Sequence, residues 1–296
     1  GVLGFLPFET LIDNNGQYLV ETYHIAYTQS MGVLELIKSR QYKGNRKPLL
    51  AFGGAVYDEL AYAVDMVENE NQLAYLEKNI YSAFQSRGSV RNAYASLGVG
   101  DWGNLPASLS EVKAIRKVVK GAEIITGKKV TESEVKGLSK SGKLAGYKVL
   151  HFATHGLVVP AMPELSAVVL SQFKKEQRDE DGYLRMAEIA DLKIQADFVN
   201  LSACETGLGK IYGGEGVVGL TQSFLIAGAN GLSVSLWQVA DVSTSRFMVA
   251  MYESVQKNNM GYADAITEVK RRFIKGDFGD KYRFPYYWAP FVYYGR

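Results

Sequence analysis

Short apolar runs alternate with amphipathic stretches along most of the chain. Continuous apolar runs, typical of strands buried on both faces, lie at 48–55 (PLLAFGGA), 147–154 (YKVLHFAT), 196–204 (ADFVNLSAC) and 231–239 (GLSVSLWQV). Between them apolar residues recur at helical spacing, as in 105–122, where Ser108 and Glu111 can form a capping box. Buried strands that alternate with helices predict an α/β fold whose mostly parallel sheet is covered on both faces.

The first part of the chain departs from this rhythm. An Asn-Asn-Gly turn between two β-favouring runs predicts a hairpin within 10–28 (TLIDNNGQYLVETYHIAYT). Residues 56–88 are helical in pattern but polar, and a stretch rich in Gly, Ser and Asn follows to about residue 104. We therefore expect two halves, 1–105 and 106–296, and the first half holds no His/Cys pair of its own.

Length, composition and charge exclude several classes of protein. The chain has 296 residues, enough for one large α/β domain or two ordinary ones. A net charge of +2 gives no basic excess for a nucleic-acid or membrane surface. The longest apolar stretches run to about eight residues, against the ~20 that span a bilayer, and no signal-peptide pattern opens the chain. We expect a cytoplasmic protein that binds neither membrane nor nucleic acid.

The chain contains a single cysteine, Cys204. One cysteine excludes an internal disulfide and any zinc site built from several thiolates, and an unpaired thiol fits a reducing cytoplasm. On local grounds alone two interpretations stay open, a small buried hydrophobe or a nucleophile.

Two candidate catalytic residues each lie at the end of a buried strand. His155 follows the run 147–154, and Cys204 ends the run 196–204, 49 positions later. Ligands of parallel sheets bind at the carboxyl ends of the strands, so imidazole and thiol converge if these strands are neighbours. A nearby imidazole lowers the thiol pKa from ~8.5 and supplies a general acid and base. The backbone amides of Gly156 and Cys204 are candidates for an oxyanion hole.

Metal and nucleotide sites are weaker alternatives. His151 and His155 are four residues apart, but on a strand such positions lie about 13 Å apart, and no third ligand suggests itself. We therefore expect no metal, and we assign His151 to the core or to the surroundings of the site. His24 is interpreted as structural. The glycine-rich segment 207–216 (GLGKIYGGEG) lacks phosphate-loop spacing and is interpreted as a mobile loop over the cleft.

Several blocks of sequence resemble the CHAT domain, a caspase-like cysteine peptidase domain of the clan that includes separases, caspases, gingipains and clostripains. The blocks are 147–156 (YKVLHFATHG), 181–194 (DGYLRMAEIADLKI), 196–209 (ADFVNLSACETGLG), 213–241 (GGEGVVGLTQSFLIAGANGLSVSLWQVAD) and 286–295 (YYWAPFVYYG). The segments FLPFETL (5–11) and YLVETYHIAYTQS (18–30) match the start of that domain. The resemblance therefore covers essentially the whole chain.

The resemblance implies a fold and a catalytic pair. The implied fold is a caspase-like three-layer α/β/α sandwich with a mostly parallel central sheet, and the implied chemistry needs no cofactor. Cys204 would be the nucleophile and His155 the acid/base of a peptide hydrolysis through a thioester acyl-enzyme. Gly156 would help to form the oxyanion hole. Because the 1–105 segment lacks a His/Cys pair of its own, we interpret it as the non-catalytic half of the CHAT region, packed beside a catalytic half at 106–296. It would extend the sheet or present a docking surface.

The resemblance also implies a specificity pocket. SLWQVAD (235–241) resembles the separase stretch whose final aspartate helps to receive the residue before the cut. Carried over, Asp241 would lie in the pocket with Trp237 in its wall, and its charge would favour a substrate Lys or Arg. Asp241 also fits the N-cap of the helix that follows, and the two roles are compatible.

Two functions from different classes are compatible with these features. The first is a regulated cysteine endopeptidase acting on protein or peptide substrates. The intact His155/Cys204 pair and its glycine-rich flanks favour this function. The second is a catalytically silent caspase-like scaffold for protein–protein interaction. CHAT domains often follow helical repeats, so the resemblance implies an upstream sensor region or a regulatory partner. A chain that begins at Gly1 without a methionine fits that expectation.

Overall fold

The computed structural model describes residues 6–57, 102–158, 163–172, 180–202, 204–205, 215–237, 239 and 241–296. Most of the segment predicted as helical at 56–88 and most of the glycine-rich segment at 207–216 lie outside the described residues.

The described strands form two sheets. In chain order they are β1 (Leu50–Gly53), β2 (Glu123–Thr126), β3 (Val149–Ala153), β4 (His155–Leu157), β5 (Ala167–Val169), β6 (Tyr183–Arg185), β7 (Phe198–Leu201), β8 (Cys204–Glu205), β9 (Gly231–Ser235) and β10 (Phe291–Gly295). The larger sheet has the order β10-β9-β7-β3-β1-β2, and the smaller one β6-β5-β4-β8. In the larger sheet every described pair is parallel except β10 with β9. The predicted mostly parallel central sheet is confirmed.

The helices pack on both faces of the larger sheet. The α-helices of the described segments are α1 (Leu19–Thr22), α2 (Met31–Ser39), α3 (Pro106–Val118), α4 (Glu132–Lys140), α5 (Met186–Ala190), α6 (Glu215–Ala227), α7 (Asp241–Asn258) and α8 (Tyr262–Lys275). Short 3₁₀ turns lie at Phe8–Thr10, Gly127–Lys129, Leu144–Gly146, Pro163–Leu165, Asp280–Arg283 and Pro285–Tyr287.

Alternation along the strands divides the core into two layers. In β1 and β3, Phe52 and Phe152 are partners in register, and their rings stack at 4.9 Å between centroids. Phe152 also contacts Phe224 of α6 on the same face. The alternate residues Ala51 and Val149 join the other apolar cluster with α3, α7 and α8. The predicted α/β/α sandwich is confirmed by this arrangement.

The hairpin predicted within 10–28 is wrong. An isolated bridge joins Ile12 and Tyr18 across the turn, but the residues that follow form the helix α1 instead of a second strand. Val20 of α1 is fully buried, and its carbonyl accepts a hydrogen bond of 2.8 Å from Nε of Arg271. Packing against α8 thus overrides the local β preference of this segment.

Strand β1 belongs to the first 105 residues but lies inside the larger sheet. It pairs with β2 on one side and with β3 on the other. Its carboxyl end therefore points to the same edge of the sheet as the carboxyl ends of β3 and β7. The residues that follow β1 therefore lie at the same edge of the sheet as those that follow β3 and β7.

Candidate active site

The two candidate catalytic residues begin neighbouring strands of the smaller sheet. β3 and β7 are adjacent and parallel in the larger sheet, and after them the chain continues into β4 and β8. There His155 and Cys204 are Cα partners in a parallel pairing. The structure therefore brings together two residues that are 49 positions apart in the sequence.

The imidazole of His155 is buried and held by one of its two nitrogens. Only 6% of the residue is exposed. Nε2–H donates a hydrogen bond of 2.7 Å to the carbonyl oxygen of Gly103. Because that bond needs a proton on Nε2, the neutral ring carries its lone pair on Nδ1. Nδ1 is buried and has no hydrogen-bond partner among the residues that the structure describes.

Two aromatic side chains form walls beside this ring. Tyr57 contacts the imidazole edge-on, with ring centroids 4.7 Å apart, and Trp102 lies tilted against it at 4.9 Å. The Trp102 indole N–H donates to the hydroxyl of Tyr183 at 2.9 Å. The Tyr57 amide donates to Oδ1 of Asn104 at 3.0 Å. These hydrogen bonds hold the Trp102 ring and the Tyr57 backbone in place, and the two aromatic rings restrict the positions that the His155 imidazole can occupy.

Burial dominates the electrostatics of the histidine. It lowers the pKa of His155 below the usual 6.5, because a low-dielectric environment disfavours the imidazolium. The hydrogen bond to the Gly103 carbonyl acts in the opposite direction but is the smaller effect. The ring is therefore neutral at neutral pH and able to accept a proton.

The other residues predicted for the site lie at the same edge of the sheets. Gly156 is buried in β4, with Val168 of β5 and Glu205 of β8 as its partners in register. Trp237 follows β9 and is partly buried, and its indole N–H donates to the Tyr286 carbonyl at 3.1 Å. The roles of these residues in an oxyanion hole or a pocket stay predictions.

Asp241 is the first residue of α7. The predicted helix is present and begins one residue earlier than the N-cap interpretation of Asp241 requires, a difference within the usual uncertainty of helix boundaries. Its role in a specificity pocket stays a prediction.

The remaining histidines have other partners. His151 is fully buried in β3, where Nε2–H donates to Oε1 of Glu111 at 2.8 Å and Nδ1 accepts from the Asn200 amide at 3.0 Å. His24 lies near the surface, with Nδ1 2.8 Å from Oδ1 of Asp264. Among the described residues, no group of three or more His, Cys, Asp or Glu side chains is arranged to hold a metal ion.

None of the helices in the described parts of the chain combines the length and the apolar character needed to cross a membrane.

Three residues around His155 were not predicted from the sequence. Tyr57, Trp102 and Gly103 all belong to the half expected to be non-catalytic. One signal for Tyr57 was present, because it follows a buried strand that ends in glycines at 48–55, the same pattern that identified His155. Sequence pattern carries no comparable signal for the carbonyl of Gly103.

Comparison with known families decides the membership of this chain. The family model of the CHAT domain matches residues 1–296. The chain belongs to the CHAT domain family. The resemblance seen in the sequence is therefore confirmed over the whole chain.

The CHAT domain has curated relatives that are much longer proteins. Tetratricopeptide repeat protein 28 of Homo sapiens is 26% identical over 183 residues, and its counterpart in Mus musculus is 24% identical over 188 residues. Each match covers 52% of this chain and 7% of the relative. The chain thus matches only a small part of these proteins.

Solved structures resemble this CHAT domain in fold. Two crystal structures of the Saccharomyces cerevisiae separase–securin complex match 98% of this chain, with TM-scores of 0.53 and 0.50 at 14% and 15% identity. The matches cover 14% and 15% of those chains. The arginine-specific cysteine proteinase gingipain R matches with a TM-score of 0.44 at 10% identity, over 84% of this chain and 46% of gingipain R. The two separase matches show that this CHAT domain shares the α/β fold of separase.

Proposed function

We propose that this CHAT domain is a cysteine endopeptidase in which Cys204 is the nucleophile and His155 the acid/base. The observation that carries the proposal is the pairing of these two residues as Cα partners on parallel strands. Neighbouring strands lie about 5 Å apart, so a thiol and an imidazole starting from such positions can reach hydrogen-bond distance. The buried Nδ1 of His155, without a partner among the described residues, is the ring atom available to the thiol.

The proposed reaction begins with transfer of the thiol proton to Nδ1, while the Gly103 carbonyl holds Nε2–H. The thiolate attacks the peptide carbonyl carbon, and the oxyanion receives hydrogen bonds from the amides of Gly156 and Cys204. When the C–N bond breaks, Nδ1–H protonates the leaving amine and a thioester remains. A water molecule then attacks the thioester and gives its proton to Nδ1. When the C–S bond breaks, Nδ1–H returns that proton to the thiolate, the acid product is released and the thiol is restored.

We propose that the pocket for the residue before the cut includes Asp241 and Trp237. Both follow β9, which neighbours β7, the strand that leads to Cys204. A carboxylate in that pocket would pair with a substrate Lys or Arg, preferably Arg because it can bind both oxygens. An apolar preference is the competing outcome, since Trp237 is itself partly buried among apolar residues.

The first 105 residues are proposed as a half without catalytic groups of its own. Its contribution would be β1 and the side chains that surround His155. The curated relatives are named tetratricopeptide repeat proteins, which supports regulation by a helical-repeat region or a partner protein. A single unpaired thiol that must remain reduced supports a cytoplasmic location.

The same relatives favour one alternative, a scaffold without catalysis that mediates protein–protein interaction. In that case the His155/Cys204 pair would have no reactive thiolate. The alternative therefore makes the opposite prediction for the chemistry of Cys204.

The test is a mass-spectrometric cleavage profile of a diverse peptide library, measured before and after treatment with iodoacetamide. Because the chain has one cysteine, alkylation has one thiol target. We expect rapid alkylation near neutral pH and complete loss of cleavage afterwards. Cuts after Lys or Arg support Asp241 as the charge of the pocket, and cuts after apolar residues remove it from the proposal.

The profile is repeated with the native flanking regions of the full-length protein attached. Cysteine-dependent cleavage in that form alone would support regulation by those regions. Absence of cleavage in both forms, together with slow alkylation in both, would contradict the peptidase and favour the scaffold.

The lowered pKa of His155 predicts that peptide cleavage continues to a lower pH than an ordinary histidine base would allow. A general base works only while it is unprotonated, so a lower pKa extends activity to lower pH. We expect the acid limb of kcat/KM to have its midpoint below pH 6.5, the usual value for histidine. The measurement is a pH–rate profile of peptide cleavage, with unfolding followed in the same buffers. A midpoint at or above 6.5 in folded protein would contradict the assignment.

A further inference from the structure

Tyr57 makes two hydrogen bonds that join β4, the strand that begins at His155, to its neighbour β5. Its hydroxyl accepts a bond of 3.0 Å from the backbone N–H of His155 and donates one of 2.9 Å to the carbonyl of Val169. His155 and Val169 are Cα partners in the antiparallel pairing of β4 with β5. The phenol therefore joins the amide of one partner with the carbonyl of the other.

The two hydrogen bonds of Tyr57 lie where the chain passes from the larger sheet to the smaller one. β3 ends at Ala153 in the larger sheet, Thr154 forms a bend, and β4 begins at His155 in the smaller sheet. A residue directly after a bend has fewer regular backbone bonds to set its position than a residue in the middle of a strand. A side chain that binds its amide can therefore set the direction in which the imidazole leaves the backbone.

The ring of Tyr57 acts on the same residue. It contacts the imidazole at 4.7 Å, on a histidine whose Nε2–H is held by Gly103. Tyr57 is itself buried, and burial raises the pKa of its hydroxyl, so the proton given to Val169 is retained. One side chain thus holds both the backbone and the ring of His155.

We propose that Tyr57 is a positioning residue that places the His155 imidazole for its reaction with Cys204. The proposal rests on the proposed peptidase function. Its active element is the hydroxyl, since the ring alone would pack against the imidazole in the same way. It follows that the half without catalytic groups controls the catalytic histidine through a side chain next to β1.

The test is Tyr57→Phe, which removes the hydroxyl and keeps the ring. The amide of His155 and the carbonyl of Val169 then lose a buried partner, and β4 shifts or closes against β5. We expect kcat for peptide cleavage to fall about tenfold with KM nearly unchanged, because small displacements of a catalytic group reduce the rate more than binding. We also expect the dominant Nε2–H tautomer of His155 to give way to a mixture in ¹⁵N NMR spectra.

The matched control is Tyr147→Phe. Tyr147 is a buried tyrosine just before β3, at the opposite end of that strand, and its hydroxyl donates to Oε2 of Glu123 at 2.6 Å. This variant loses one hydrogen-bonded tyrosine hydroxyl far from the site, so we expect its kcat and the His155 tautomer to match the wild type. Equal losses of kcat in Tyr57→Phe and Tyr147→Phe would show that the effect is general to the loss of a tyrosine hydroxyl. That result would overturn the proposal.

The NMR readout separates this proposal from the peptidase proposal. If the wild type cleaves nothing, the peptidase fails, but the chain has only three histidines and the His155 ring remains observable. A changed tautomer in Tyr57→Phe would then still support the positioning of His155 by the hydroxyl. An unchanged tautomer, or an unchanged kcat in a cleaving protein, overturns it.

Discussion

Replacing Cys204 with alanine is expected to abolish peptide cleavage, with a loss of at least about 10⁴-fold, while the protein remains folded. Without the thiol no thioester can form, and the chain has no second cysteine to replace it. β8 pairs with β4 through backbone groups that alanine retains, so the sheet persists. The measurement combines the peptide-library cleavage profile with the free energy of unfolding in urea.

The controls for Cys204→Ala are His155→Gln and the double variant. Residues that act as one catalytic unit lose activity non-additively, so the double variant should be no less active than Cys204→Ala alone. His155→Gln should also slow the alkylation of Cys204 near neutral pH, because the base that favours the thiolate is gone. Cleavage that survives in Cys204→Ala would remove the thiol from the mechanism. Additive losses would show two independent contributions in place of a dyad.

The layout of the fold was accessible from the sequence because buried strands leave a strong apolar signal. The runs at 48–55, 147–154, 196–204 and 231–239 contain β1, β3, β7 and β9, the adjacent parallel strands of the larger sheet. The rule that ligands bind at the carboxyl ends of such strands placed His155 and Cys204 at one edge. The structure places their backbones in register on neighbouring strands.

The surroundings of His155 were less accessible, because they depend on contacts between distant segments. The bond from Nε2–H to the Gly103 carbonyl joins a side chain with a backbone group 52 positions away, and backbone carbonyls carry no sequence signal. Tyr57 and Trp102 belong to the half that the sequence predicts to be non-catalytic because it holds no His/Cys pair of its own. Dividing the chain by the position of the His/Cys pair therefore gave no indication that these two side chains contact the imidazole.

The start of the chain shows a second limit of local patterns. The segment at 10–28 has β-favouring residues on both sides of a turn, yet α1 forms there. What decides is the partner surface, because the Val20 side chain is buried against α8 and its carbonyl is bound by Arg271. The conformation of this short segment is therefore set by its packing against α8. Because α8 lies about 250 positions away in the sequence, local patterns cannot predict that contact.

A buried ion pair joins Lys270 of α8 to Glu9. Replacing Lys270 with methionine is expected to lower the free energy of unfolding by about 3–5 kcal/mol. Nζ of Lys270 lies 2.7 Å from Oε1 of Glu9, and the two side chains are only 1% and 3% exposed. Burial lowers the pKa of Lys270, and the carboxylate of Glu9 opposes that shift. Methionine keeps most of the apolar part of the side chain but removes the ammonium group. The Glu9 carboxylate then stays buried with the Tyr27 hydroxyl, 2.5 Å from Oε2, and without the opposite charge of Lys270.

The matched control is Lys257→Met. Lys257 pairs with Glu253 at 3.2 Å, but its side chain is 69% exposed, so its loss should cost less than about 1 kcal/mol in urea unfolding. The double variant Glu9→Gln/Lys270→Met removes both charges and should be more stable than Lys270→Met alone, since no unpaired charge remains. Equal effects of Lys270→Met and Lys257→Met would contradict a role for the buried pair. Glu9 thus anchors the 3₁₀ turn Phe8–Thr10 to α8.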